Sequence, residues 1–246
     1  EVQLLGQNVN SYGKDMGAEG WNFAQLLSAV SDIDGIERIR YMTSHPRDFN
    51  RELAEVIAAL TKVCPHFHLP VQSGSDAVLH RMNRKYTAQE YLHIIDKVKS
   101  SVPDVSLTSD IIVGFPGETD EDFQKTLDML AAVEYDAIFS FIYSPRNGTP
   151  AATMEGQIPK EVSSRRFEQL LSLQHDISRS RNQRFVGRTV RALCEEVSKT
   201  DPTKMTARGD SPRPIHFENH KGVPIGEYCE LEVVSADTFS LYGKLK

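Results

Sequence analysis

Five times over residues 1–143 a short apolar stretch ends in a polar loop, and amphipathic helical patterns fill the intervals. No other property of the sequence narrows the possible folds so far. The strand-like stretches are residues 2–5, 36–42, 67–71, 111–113 and 137–143. Between them apolar residues recur at helical spacing: Phe23, Leu26, Leu27 and Val30 before Gly35, then Leu53, Val56, Ile57 and Leu60 behind an Asn50 cap. Val78, Leu79 and Met82 follow Ser75 and Asp76, Tyr91, Ile94, Ile95 and Val98 follow a Thr87–Glu90 capping box, and Phe123, Leu127 and Leu130 follow Thr119 and Asp122. Alternation of this kind builds a parallel sheet, whose ligands collect along the rim at the carboxyl ends of the strands. The fold class expected is therefore α/β, a parallel (β/α) barrel or part of one. Five strands do not close an eight-stranded barrel, so either the barrel is partial or its first unit lies before Glu1.

The rim loops carry the chemistry. Residues 109–119 read S-D-I-I-V-G-F-P-G-E-T: a β-branched run, a break at Gly114, a turn at Pro116-Gly117 and a helix start at Thr119. Such a turn admits close approach of a flat or phosphorylated ligand, or needs glycine for its own geometry. Residues 7–13 place two amides, Gln7 and Asn8, after the first strand, where they fix a zwitterionic ligand or simply form a turn. Residues 43–46, T-S-H-P, and 72–76, Q-S-G-S-D, end the next two strands.

After residues 144–150 the texture changes. Pro159 introduces a long helix from about residue 161 to 185 that ends rich in arginine, and from Arg188 onward alternating segments at 189–197, 226–234 and 239–245 flank a Gly- and Pro-bearing stretch, 200–214. These segments predict a small antiparallel β-barrel, OB-like, a shape that often binds single-stranded RNA. The domain boundary expected is 1–183 against 184–246. Charge supports the division: residues 1–159 carry a net −9 (13 Lys and Arg against 22 Asp and Glu), whereas residues 184–246 carry +1. Three scattered cysteines, Cys64, Cys194 and Cys229, suit neither a disulfide framework nor a metal site and read as reduced cytosolic thiols. No apolar run reaches membrane-spanning length. The chain opens on E-V-Q-L-L-G, with neither an initiator Met nor a signal-peptide pattern, which suggests a fragment.

Residues 6–12, 38–46, 68–75, 109–119 and 141–146 together resemble, in order, the motifs of the radical SAM methylthiotransferases, closest to the MiaB-like tRNA-2-methylthio-N6-dimethylallyladenosine synthases. The resemblance covers essentially the whole chain, with residues 188–246 similar to the family's TRAM domain, a small RNA-binding barrel. It implies a transferase that replaces the C2 hydrogen of an N6-isopentenyladenosine beside the anticodon with a methylthio group. It also implies S-adenosylmethionine as cofactor, two [4Fe–4S] clusters, a tRNA anticodon stem-loop and an electron donor as partners, no membrane, a cytoplasmic location and a monomer. Residues 6–8 and 43–46 favour the tRNA branch over the one that modifies an aspartate of a ribosomal protein.

One departure stands against these matches: neither the family's C-x3-C-x2-C cluster motif nor the three cysteines of its N-terminal domain are in this sequence. The expectation is a radical SAM barrel lacking its first strand and cluster loop, unable to assemble either cluster by itself. An alternative is a non-catalytic RNA- and S-adenosylmethionine-binding fragment. An aldolase-like barrel is disfavoured because Lys62, Lys85, Lys97, Lys99 and Lys125 all lie in polar or helical settings.

By the resemblance, Gln7, Asn8, Gln72, Ser73, Asp110, Gly114, Phe115, Pro116 and Arg146 form the cofactor set. Gln7 and Asn8 would hold the methionine end, Gln72 and Ser73 the ribose, Gly114, Phe115 and Pro116 the adenine, and Arg146 a phosphate or the carboxylate. Structural alternatives stay open for several: helix capping at Ser73, core packing at Phe115, and for Asp110 either the barrel mouth or an arginine partner. Glu118 reads as a favourable charge at the next helix's start. His45, His66 and His68 read as packed histidines rather than metal ligands, with His68 alternatively touching substrate. In the small barrel Arg208, Arg213, His216 and Phe217 combine basic and aromatic character suited to RNA, Phe217 alternatively being core.

Overall fold

A computed structural model describes residues 1–17, 20–42, 45–199 and 201–246, with the Arg47 side chain left aside. Thr43 and Ser44 of the 43–46 motif, and Thr200, thus lie outside the described residues. The chain folds as two compact units, Glu1–Gln174 and His175–Lys246.

In the first unit, strand β1 (Val2–Leu4) pairs in parallel with β2 (Ile39–Tyr41), and β3 (His66–His68), β4 (Ser106–Val113) and β5 (Ala137–Ile142) form a second parallel set with β4 central. A parallel bridge between Ile39 and Val63 joins the two sets, so the five strands follow one another in chain order as the alternation predicts. Between them run α1 (Phe23–Ser31), α2 (Arg51–Ala59), α3 (Asp76–Arg81), α4 (Ala88–Ser101) and α5 (Asp120–Val133). Asn50 caps α2 through the Leu53 N–H, and Thr87–Glu90 and Thr119–Asp122 close reciprocal capping boxes on α4 and α5. Each such cap contributes about 1 kcal/mol. Ser75 begins α3 without capping it, because its hydroxyl donates instead to Asp122 Oδ1 at 2.6 Å.

The third predicted strand, 67–71, is cut short. Pro70 has no N–H to give a ladder, so pairing stops at His68 and side chains take over. Ser109 Oγ donates to the Leu69 carbonyl (2.9 Å) and accepts the Val71 N–H (3.0 Å), while the buried Tyr91 and Tyr86 hydroxyls donate to Leu69 O (2.8 Å) and Val71 O (3.1 Å). Gln72 then rejoins β4: its N–H donates to Asp110 O and its carbonyl accepts from Ile112 N–H, each at 2.9 Å.

Helix α6 (Lys160–Gln183) contains the point where the units divide. The second unit is a closed five-stranded barrel of β6 (Thr189–Val197), β7 (Lys204–Arg208), β8 (Pro214–Glu218), β9 (Tyr228–Ala236) and β10 (Leu241–Leu245), ordered β10-β8-β7-β6-β9. Two differences from the sequence expectation matter. Strand β7 lies within the stretch read as a separating loop, and β10 runs parallel to β8, so the barrel is not wholly antiparallel. Its core is Ala192, Cys194, Ala207, Ile215, Phe217, Leu231, Val233 and Leu241.

Candidate functional site

The carboxyl ends of β4 and β5 open onto a cavity of about 540 Å³ lined by Gln72, Asp110, Ile112, Phe115, Phe141, Tyr143 and Arg146, among others. Its aromatic wall comes from Phe115 and Tyr143, whose rings meet edge to face at 5.1 Å. Polar groups enter from three segments: the Gln72 amide, the Asp110 carboxylate from within β4 and, from the exposed loop after β5, Arg146. A flat ligand with polar edges and an anionic group fits such a lining.

Gln72 is the most informative of these residues. Four described non-glycine residues have positive φ, and three of them, Asn83, Asp104 and Glu134, sit in turns or at a helix end. Gln72, at φ 73°, is buried on the cavity wall. Left-handed backbone in such a residue costs about 1 kcal/mol and clusters at ligand sites.

The turn after β4 is held rigidly. Gly114 has φ 75°, its N–H donates to Glu118 Oε2 at 2.8 Å, and the Gly117 N–H donates to Gly156 O at 2.7 Å. Glu118 itself is buried, and Arg166 of α6 donates through Nη1 to Glu118 Oε2 (2.9 Å) and through Nη2 to Asp120 Oδ1 (2.7 Å). Burial pushes the Glu118 carboxyl up from its ordinary value, against the lowering effects of the Gly114 N–H and Arg166. Glu118 is thus the fastener of the turn rather than a charge serving the helix start. Gly114 also differs from expectation: a Cβ there would lie 2.4 Å from Ser163 Oγ, so its bare face makes room for α6.

Other expected ligand residues do not line the cavity. Ser73 is fully buried with its hydroxyl 3.3 Å from Thr126 Oγ1, which spends it on packing against α5. Pro116 is buried in the turn and Gln7 is exposed on the loop after β1. Asn8 donates to Ser11 Oγ (2.7 Å) and Asp48 Oδ2 (2.6 Å) and accepts from the His45 N–H (3.1 Å). These bonds, with those of Ser11 and Lys14 to Asp48, tie the loops after β1 and β2 together. Burial raises the Asp48 pKa, but the hydrogen bonds from Lys14, Ser11 and Asn8 outweigh it and leave the carboxyl below its ordinary range. Nothing in the sequence marks Asp48, because its partners lie 34 to 40 residues away.

Among the described residues no arginine forms an ion pair with Asp110, whose Oδ1 lies 3.4 Å from His68 Nε2. His68 Nδ1 and His66 Nε2 lie 3.1 and 2.8 Å from Thr108 Oγ1. Burial drives the His66 pKa down to about 3, with the neighbouring His68 and Arg40 adding to it, so this imidazole is neutral. The cysteines do not form a metal site either. All three are buried free thiols, burial pushes Cys229 up to about 11, and no group of three or more His, Cys, Asp or Glu among the described residues is arranged to hold a metal.

In the barrel, three of the four residues read as RNA contacts are engaged elsewhere. Phe217 is 1% exposed in the core, since odd-numbered residues of β8 point inward. Arg213 is buried, and Arg208 Nε donates to Glu195 Oε1 at 3.0 Å while Nη1 donates to the Pro212 carbonyl. His216 remains half-buried on the outer surface, its ring tilted against Tyr242 at 5.8 Å. Around it a groove of about 410 Å³ collects Lys204, Glu218, His220, Tyr242 and Lys244.

The first unit's architecture agrees with the similarities found. The whole fold is similar to coproporphyrinogen III oxidase (HemN) from Escherichia coli, described as a radical SAM enzyme, with a TM-score of 0.54 at 13% identity over 98% of this chain and 58% of that one. Curated relatives named tRNA-2-methylthio-N(6)-dimethylallyladenosine synthase match throughout: 49% identity over 245 residues in Thermoanaerobacter pseudethanolicus, 48% in Acetivibrio thermocellus and 47% in Moorella thermoacetica. Each match covers 100% of this chain but only 51 to 55% of the relative, so the chain spans about half the length of the curated relatives it matches. The profile described as "Radical SAM superfamily" matches residues 1–130, from β1 through most of α5, more than half of the chain and including Gln72, Asp110 and Phe115 of the cavity wall: the chain belongs to the radical SAM superfamily.

Proposed function

We propose that this chain is the catalytic-barrel and RNA-binding part of a tRNA methylthiotransferase acting on N6-isopentenyladenosine beside the anticodon. The observation that carries the reading is identity near 48%, sustained across both units, to proteins named for that synthesis. The partners are then a tRNA anticodon stem-loop and an electron donor. We take the protein to be a cytoplasmic monomer; among the described residues no helix is long and apolar enough to cross a membrane.

The cavity residues fit S-adenosylmethionine: Phe115 and Tyr143 offer flat faces to the adenine, Gln72 an amide to the ribose, and Arg146 a cation to the carboxylate. When bound and reduced, that cofactor supplies the radical that activates the base. This chain's residues orient it and keep water out, with the Glu118–Arg166 pair fixing the turn that carries Phe115. The iron–sulfur clusters find no ligand set among these three cysteines, and we assign them to the remainder of the whole protein. The domain boundary we favour places the RNA-binding barrel at residues 184–246. Its RNA surface is the groove of Lys204, His216, Tyr242 and Lys244 rather than Arg208, Arg213 and Phe217; in OB-like barrels the second and third strands, here β7 and β8, face nucleic acid.

The test is mass spectrometry of nucleosides in tRNA from a methylthiotransferase-deficient strain. It is complemented with this chain alone, or with this chain joined to the remainder of a full-length relative. Restoration of 2-methylthio-N6-isopentenyladenosine by the joined version alone is the expected result. Failure of both overturns the tRNA assignment and turns attention to the ribosomal-protein branch.

A further inference from the structure

The sheet β3-β4-β5 has two unlike faces. One carries Phe67, Leu107, Ile111 and Val113, all buried. The other carries His68, Asp110, Phe139 and Phe141, and it is open: Phe139 and Phe141 are 50% and 55% exposed, and the Asp110 side chain is 30% exposed. Asp110 stands directly opposite Phe139 in the ladder, and the His68 ring is edge-on to Phe139 at 5.6 Å while its Nε2 approaches the Asp110 carboxylate. A single exposed phenyl ring needs no explanation. Two on successive inward positions of one strand, beside a carboxylate steadied by an imidazole, form a stacking surface with a hydrogen-bond acceptor at its edge.

We propose that this face is a nucleobase site, in which the substrate base stacks on Phe139 and Phe141 and its exocyclic amine donates to Asp110, with His68 positioning the carboxylate. The inference rests on the tRNA reading above and deepens it. Stacking on aromatic rings with an edge hydrogen bond is how unpaired bases are held. An aspartate substrate would instead bring like charge against Asp110. The cofactor's adenine offers the same chemistry, but the cavity assigned to it opens at the strands' carboxyl ends. Phe139 lies deeper along β5 and does not line that cavity, whereas Asp110 and Phe141 line it too, so the base site adjoins the cofactor and shares those two residues with it.

The experiment uses the full-length protein with its clusters. Affinity for labelled anticodon stem-loop RNA is measured by fluorescence anisotropy, with N6-isopentenyladenine (adenine RNA), its analogue with carbon in place of the N6–H (purine RNA) or an abasic site at the target position, and affinity for S-adenosylmethionine by equilibrium dialysis. Wild type is expected to bind adenine RNA about tenfold tighter than purine RNA. Asp110→Ala should erase that preference, Phe139→Ser should shrink the adenine-to-abasic ratio about tenfold, Phe139→Tyr should restore it, and cofactor affinity should stay within about twofold in both Phe139 variants. Retention of the adenine preference in Asp110→Ala, or a parallel fall in cofactor affinity in Phe139→Ser, overturns the inference while leaving the tRNA reading intact. Equal binding of adenine, purine and abasic RNA by wild type also overturns it alone. No RNA binding by wild type overturns the tRNA reading and the inference with it.

Discussion

The two units differ in how they use their candidate side chains. In the parallel unit the resemblance assigns nine residues to the cofactor, and the fold brings four of them, Gln72, Asp110, Phe115 and Arg146, to one cavity. In the small barrel, Arg208, Arg213 and Phe217 were picked out by residue type, and the fold turns all three to structural use. Topology alone delivers a strand-end loop to the rim of a parallel sheet. A barrel strand gives no such guarantee, because a one-residue change of register reverses which side chains face out.

The largest effect expected from this contrast lies at Arg166. Arg166→Ala leaves the buried Glu118 without its cation and should destabilise the first unit by roughly 3–5 kcal/mol, read as a shifted urea midpoint. A loss below about 1 kcal/mol would mean that the turn stands without its fastener. Phe217→Ala should cost the barrel a similar amount, about 3–5 kcal/mol, for the cavity it leaves in the core. An unchanged barrel melting temperature there would return Phe217 to the surface.

Salt dependence sharpens the same contrast. Replacing Lys204 and Lys244 together by Ala should flatten the slope of log affinity for single-stranded RNA against log salt by about 1.4, with little change in stability. Arg213→Gln should do the reverse, lowering barrel stability and leaving the slope in place. For the first unit, His66 sets a pH signature. Its folded pKa, about 3, lies below its unfolded value, so the unfolded chain takes up the proton first. Its contribution to stability is complete above about pH 6.5 and is lost as the pH falls toward the folded value, at about 1 kcal/mol per pH unit. Denaturation midpoints between pH 7 and 4 should show this slope in wild type and lose it in His66→Gln. The smallest effect expected is Asn50→Ala, about 1 kcal/mol for the α2 cap, seen by thermal melting.

What was legible in the sequence follows physical range. Helix caps at Asn50, Thr87 and Thr119 are contacts over three residues, and they are formed as the local pattern implies. Strand order and the rim follow from alternation. The truncation of β3 is also local, since Pro70 announces it, but the hydroxyls that replace the ladder come from Ser109, Tyr91 and Tyr86. Arg166 and Glu118 are 48 residues apart, and no pattern in either neighbourhood names the other. Strand β7 escapes notice because Lys204-Met205-Thr206-Ala207-Arg208 alternates over five residues only, on one methionine and one alanine, and adjoins turn residues. The neighbouring Ile215-His216-Phe217-Glu218 also alternates, and that period of two carries the signal that Phe217 points inward.

Gln72 gives the first unit an unusual engineering liability. Its left-handed backbone is one that glycine adopts freely, so a selection for heat resistance would favour Gln72→Gly. The winner would keep every strand pairing of the cavity wall and lose the amide that projects from it. Variants of this protein ranked by thermal tolerance alone would therefore drift toward a sturdier barrel with a poorer grip on the ligand proposed for that cavity.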